Sequence, residues 1–131
     1  MFKKCLLLGI SAGLLAALGC IIYARVYSMA MGGVDFSKVA NPVMIVASCL
    51  FGTVLAAIGF YFMDRWLKAK GELLFNFVFV ILSFATVVSP FAATLPLDVE
   101  FPELFPGFAV PMHFFPALAW FTLKPLFIKN V

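Results

Sequence analysis

The chain has 131 residues, of which 65% are hydrophobic and only 11% charged, with a formal net charge of +3. A soluble domain is nearer half apolar and a quarter charged, and one of this length has too much surface to hide so much apolar side chain. That excludes a soluble globular domain, and no basic cluster interleaved with aromatics points to nucleic acid.

Four uncharged runs follow one another: Cys5 to Ala24, Val39 to Met63, Leu73 to Leu97 and Leu104 to Leu123. Each reaches the roughly 20 residues that a helix needs to cross a bilayer core about 30 Å thick. Backbone amides in hydrocarbon must be paired internally, and the alternation of an outer-membrane strand is absent, so each run reads as a helix. The expected fold is an all-α membrane protein, a four-transmembrane-helix antiparallel bundle in one domain, 1–131. The spans fall at about 5–27, 41–65, 71–92 and 108–128, with an outer loop at 93–107.

The first run begins with Lys3 and Lys4 and contains Ala17-Leu18-Gly19-Cys20, which has the shape of a lipoprotein cleavage box. Ile21, Ile22 and Tyr23 continue the apolar run where a polar linker would follow such a box, so the segment is expected to stay as the first span. The second run opens on Asn41-Pro42, an N-cap followed by proline at the first helical position. The polar stretch Asp64 to Glu72 makes the second and third runs a hairpin. Ser89-Pro90 ends or kinks the third helix. Pro96, Pro102, Pro106 and Pro111 then punctuate an irregular stretch. Within Leu95 to Phe108, Leu97 to Phe101 alternates, and Phe101, Leu104, Phe105 and Phe108 add apolar surface between the acids, as in a connector anchored at the interface or a lid over the bundle.

Placement of Lys and Arg sets orientation. With the N-terminus inside, Lys3, Lys4, Arg65, Lys68, Lys70, Lys124 and Lys129 are cytoplasmic, and only Arg25 and Lys38 lie outside. Both termini are therefore expected in the cytoplasm, and a bacterial inner membrane is the expected location.

Small residues let helices approach closely in lipid. Gly9 and Gly13 form a GxxxG spacing in the first run, and Ser48, Gly52 and Ala56 form a stripe in the second. These two stripes are expected to pack on each other, with homodimerisation as the rival use. The third run, rich in Phe, Val, Ile and Leu, is expected largely to face lipid or to fill gaps left by the small-residue pair.

Polar side chains concentrate toward the outer half: Cys20, Tyr23, Ser48, Cys49, Thr86, Ser89 and His113. They suggest a shallow outward-facing pocket, against the plainer reading that Ser and Thr bond their own helices. His113 is the ionisable group inside an apolar run, a setting that is costly in hydrocarbon and often functional. A helix starting near Pro106 would contain both Pro111 and Pro116 and kink beside His113. One starting at Pro111 would put His113 near the outer interface, which is the favoured reading. Arg25, Asp98, Glu100 and Glu103 are its expected partners around a ligand.

Cys5, Cys20 and Cys49 include no CxxC pair, and one histidine is a poor metal site. No metal and no cofactor is expected, and without a catalytic constellation the expectation leans away from an enzyme. The leading expectation is a small membrane protein acting through helix association, with itself or with a larger membrane complex. The alternative is a binder or transporter of a small or lipid-like solute through the pocket near His113.

Overall fold

A computed structural model describes residues 1–33, 35–36, 40–92 and 102–128, and among them every regular element is helical. Asp98 and Glu100 lie outside the described residues. The elements are α1 (Phe2–Ala30), α2 (Pro42–Leu67), α3 (Ala69–Thr86), α4 (Val88–Ala92), α5 (Phe105–Ala109) and α6 (Phe115–Phe127). Two 3-10 turns, Pro102–Leu104 and Pro111–His113, flank α5.

Local chemistry sets most of these ends. Gly33 N–H bonds the Ser28 carbonyl at 2.8 Å and Gly32 N–H the Met29 carbonyl at 3.3 Å, closing α1 in a Schellman cap. Both glycines have positive φ, 81° and 86°. The Asn41 side chain accepts the Met44 N–H at 2.8 Å with Pro42 at the first position, so α2 starts where its sequence signal lies. The expected polar connection is shorter than its sequence suggests: Lys68 alone, at φ 51°, separates α2 from α3. Gly71 sits so close behind it that a Cβ there would run into the Met63 carbonyl. Pro90 offers no N–H to the Thr86 carbonyl, and the third helix breaks at Val87 before resuming as α4.

Among the described residues, three segments are long and apolar enough to cross a membrane: Phe2–Ala30, Pro42–Leu67 and Ala69–Ala92. The most apolar stretch of the last is only 17% buried, and Phe77, Ile81, Leu82 and Phe84 stand exposed on α3. Water would not tolerate such a face, but lipid does. The chain is a helical, multi-pass membrane protein.

The fourth run differs from the single helix expected at about 108–128. It consists of α5, the second 3-10 turn and the 13-residue α6. Pro111 and Pro116 remove the N–H groups that a continuous helix would need, so the backbone breaks into short turns around them.

Contacts fix the directions. Phe2 touches Tyr61, so the start of α1 lies beside the end of α2. Phe115, at the start of α6, meets Tyr23 near the end of α1, and Lys124 near the end of α6 pairs with Glu72 at the start of α3. Thus α6 runs antiparallel to α1 and α3. The core forms where α1 meets α2 and α6, from Cys5, Leu8, Ala12, Ala16 and Cys20 through Ala57 and Phe60 to Trp120. A second cluster of Phe36, Phe105, Phe108 and Ala109 caps the other end of the bundle.

Candidate functional site

Close approach of α1 and α2 determines what remains open elsewhere. A Cβ on Gly9 would lie 2.9 Å from the Ala57 Cβ and from the Thr53 carbonyl oxygen. One on Gly13 would lie 2.5 Å from Thr53 Oγ1 and 2.8 Å from Leu50 Cδ2. Gly9 and Gly13 are therefore the contact face of α1. The partner face of α2 is one residue on from the expected stripe: Cys49, Thr53, Ala57 and Phe60 are buried. Thr53 can face this apolar seam because its hydroxyl donates to the Cys49 carbonyl at 2.8 Å.

Ser48, Gly52 and Ala56 consequently turn away from α1. A Cβ on Gly52 would meet nothing within 4 Å. This face of α2, with α3, α4 and the segment from α5 to the start of α6, encloses a groove of about 720 Å³. Near the join of α2 and α3, Phe60 and Phe75 touch, and the groove runs between the two helices from there.

One part of the groove is apolar, lined by Leu55, Gly59, Met63, Phe75, Val78 and Phe79. Ser48, Ser83, Thr86, Ser89 and His113 supply the polar lining at the other part, where Cys20 and Cys49 also reach the wall. All of the polar side chains noted toward the outer half except Tyr23 thus converge here. Ser83 is an addition: it lies on the groove face of α3, one turn before Thr86, within a run read as lipid-facing.

The segment carrying His113 survives in an apolar setting because its freed carbonyls find other donors. Pro111 leaves the Gly107 carbonyl without a helical partner, and the Tyr23 hydroxyl donates to it at 2.7 Å. Tyr27 donates to the Leu104 carbonyl at 2.8 Å. A Cβ on Gly107 would lie 2.7 Å from that Tyr27 hydroxyl, so the glycine admits the ring. The His113 N–H turns to Val110 in the 3-10 bend, and the His113 ring then bonds the Ala109 carbonyl through Nδ1 at 2.8 Å. Pro116 frees the Met112 carbonyl, which the Cys20 thiol faces at 3.8 Å. His113 is half-buried and belongs both to this network and to the groove wall.

The expected ligand set around His113 does not gather at the groove. Arg25 and Glu103 are exposed and neither lines it. The reason is geometric: Arg25 stands on an exposed face of α1, and Glu103 sits on a separate 3-10 turn before α5. No charged side chain is among the described residues that line the groove. Cys20 and Cys49 sulfurs lie 3.9 Å apart at its wall, both reduced. Among the described residues no three of His, Cys, Asp and Glu gather as metal ligands would.

A second polar cluster lies at the hairpin end. Lys124 is buried, paired with Glu72 and placed 4.9 Å from the Phe60 ring centre. Next to it, Trp120 Nε1 and Asn76 Oδ1 are buried without hydrogen-bond partners. Lys124 thus anchors α6 to the start of α3.

Comparison of the chain with protein-family models, curated proteins and solved structures gives no match.

Proposed function

We propose that this protein binds a lipid-like amphiphile in the groove between α2 and α3, from within the membrane. The observation that carries the reading is the groove itself: about 720 Å³, apolar along one part and polar around His113 at the other. That volume lies in the range of small-molecule sites, and a few convergent polar groups on an apolar wall are their usual chemistry. The small-residue face of α1 is occupied by α2 of the same chain, which removes the main reason for assigning it to association with other proteins.

The topology proposed for this function has four crossings, both termini in the cytoplasm, and a bacterial inner membrane as the site. Seven of the nine basic residues fall on the cytoplasmic side under that arrangement. The antiparallel return of α6 toward the α2–α3 hairpin supports a fourth crossing, with the turns from α5 to His113 completing its outer part. The groove's polar end then lies toward the outer leaflet, beside the Tyr23 and Tyr27 contacts.

Native mass spectrometry of the detergent-extracted protein tests the reading. Retained lipid on the wild type and its loss in Gly52→Leu, a variant that fills the groove, are the expected results. A stable self-associated complex with equal lipid occupancy in both proteins would return the association reading to first place. A terminal tag accessible only from outside would overturn the orientation.

A further inference from the structure

The hydrogen-bonding polarity of the groove narrows the occupant, an inference that rests on the lipid-binding reading. A backbone carbonyl can only accept, so His113 Nδ1, 2.8 Å from the Ala109 oxygen, carries the hydrogen. In a neutral imidazole that leaves Nε2 as an acceptor. Ser83 donates its hydroxyl hydrogen to the Phe79 carbonyl at 2.8 Å, and Thr86 donates its own to the Ser83 carbonyl at 2.8 Å. Both hydroxyls therefore present lone pairs to the groove. Ser48 and Ser89 are free by chemistry to donate or accept.

The polar end is thus rich in acceptors and contains no cation and no carboxylate among its described lining. A phosphate head, itself acceptor-only and anionic, would meet lone pairs with no positive charge to offset its desolvation. An ammonium head would find no counter-charge. A hydroxyl head donates to an acceptor at no cost in buried charge. We infer that the groove takes a long-chain lipid with an uncharged, hydrogen-donating hydroxyl head, His113 Nε2 accepting from it. An acylglycerol and an isoprenoid alcohol share this chemistry.

Titrations of the full chain in detergent, read by native mass spectrometry, use 1,2-dioleoylglycerol, geranylgeraniol and dioleoyl phosphatidate. Phosphatidate keeps the acyl chains of the first lipid and exchanges the hydroxyl for a phosphate. The expected result is that at least one of the two alcohols binds about tenfold or more tightly than phosphatidate, the scale of one well-made hydrogen bond to a buried group. The tighter of the two alcohols identifies the chain type. His113→Phe is expected to lose about tenfold for that alcohol and nothing for phosphatidate. Since His113 also bonds Ala109, Thr86→Val serves as a second variant that removes an acceptor on another helix; it should weaken the alcohol several-fold.

Equal or tighter binding of phosphatidate, or alcohol affinity unchanged in both His113→Phe and Thr86→Val, overturns the hydroxyl assignment. The lipid-binding reading then still stands if Gly52→Leu abolishes the binding that remains. Absence of binding by all three lipids, or binding of all three untouched by Gly52→Leu, overturns that reading as well.

Discussion

Lys124, in the last turn of α6, forms its ion pair with Glu72 in the first turn of α3, with the Phe60 ring over the ammonium. The pair joins the ends of two helices that also meet through Phe75 and Phe79 against Trp120 and Phe121, at the hairpin end of the bundle. A buried ion pair is better evidence of arrangement than of stability, because desolvation offsets much of its attraction.

Breaking the pair on one side leaves a buried charge. Glu72→Gln is expected to lower stability by about 3 kcal/mol, while Glu72→Leu combined with Lys124→Met recovers most of that loss. Thermal or denaturant unfolding in detergent measures both. A double variant no better than the single one would remove the ion pair as the reason for the loss.

Gly13 and Gly52 look alike in sequence and stand in opposite settings. Gly13→Leu would drive a side chain into Thr53 and the Leu50 backbone, 3.0 Å from its Cα, at a cost of about 3 kcal/mol. Gly52→Leu enters open space and should change stability by about 0.5 kcal/mol or less while filling the groove. Melting temperatures of the two variants, compared under identical detergent, decide between this packing and a seam through Gly52.

The 3.9 Å separation of the Cys20 and Cys49 sulfurs makes them the one close thiol pair. Copper-phenanthroline treatment is expected to join these two and leave Cys5, buried at the start of α1, as the free thiol. Peptide mapping after alkylation identifies the pair. A dominant Cys5 cross-link would contradict the register of α1 against α2.

Tyr23 and Tyr27 hold the broken segment to the end of α1 through the Gly107 and Leu104 carbonyls. Tyr23→Phe leaves a carbonyl without a donor and should cost about 1–2 kcal/mol. The loss should appear as faster hydrogen exchange in 105–113 with α1 and α2 unchanged. Uniform acceleration across all helices would mean that the bond supports the whole bundle rather than this segment.

Trp120 is fully buried, and its Nε1 has no acceptor. Trp120→Phe removes that unsatisfied donor along with some packing, so it should cost about 1 kcal/mol or less, against about 3–5 kcal/mol for Trp120→Ala. Equal losses in the two variants would show that the indole N–H is in fact bonded.

Sequence alone determined the class of solvent, the positions of the first three apolar helices, the Asn41-Pro42 start of α2 and the disruption at Pro90, because length, hydropathy, caps and proline act locally. It also identified most of the groove's polar side chains, since polar atoms within apolar runs are few and visible. The face each helix presents was not legible. Ser48-Gly52-Ala56 and Cys49-Thr53-Ala57 are adjacent stripes of similar size, and only contact with Gly9 and Gly13 chooses between them. The pairing of Lys124 with Glu72 was not legible either, because the two residues lie far apart in the chain. Tertiary structure alone decided that His113 would stand without Arg25 and Glu103. Its surroundings are set by where the carbonyls freed by Pro111 and Pro116 find donors, and those donors come from α1.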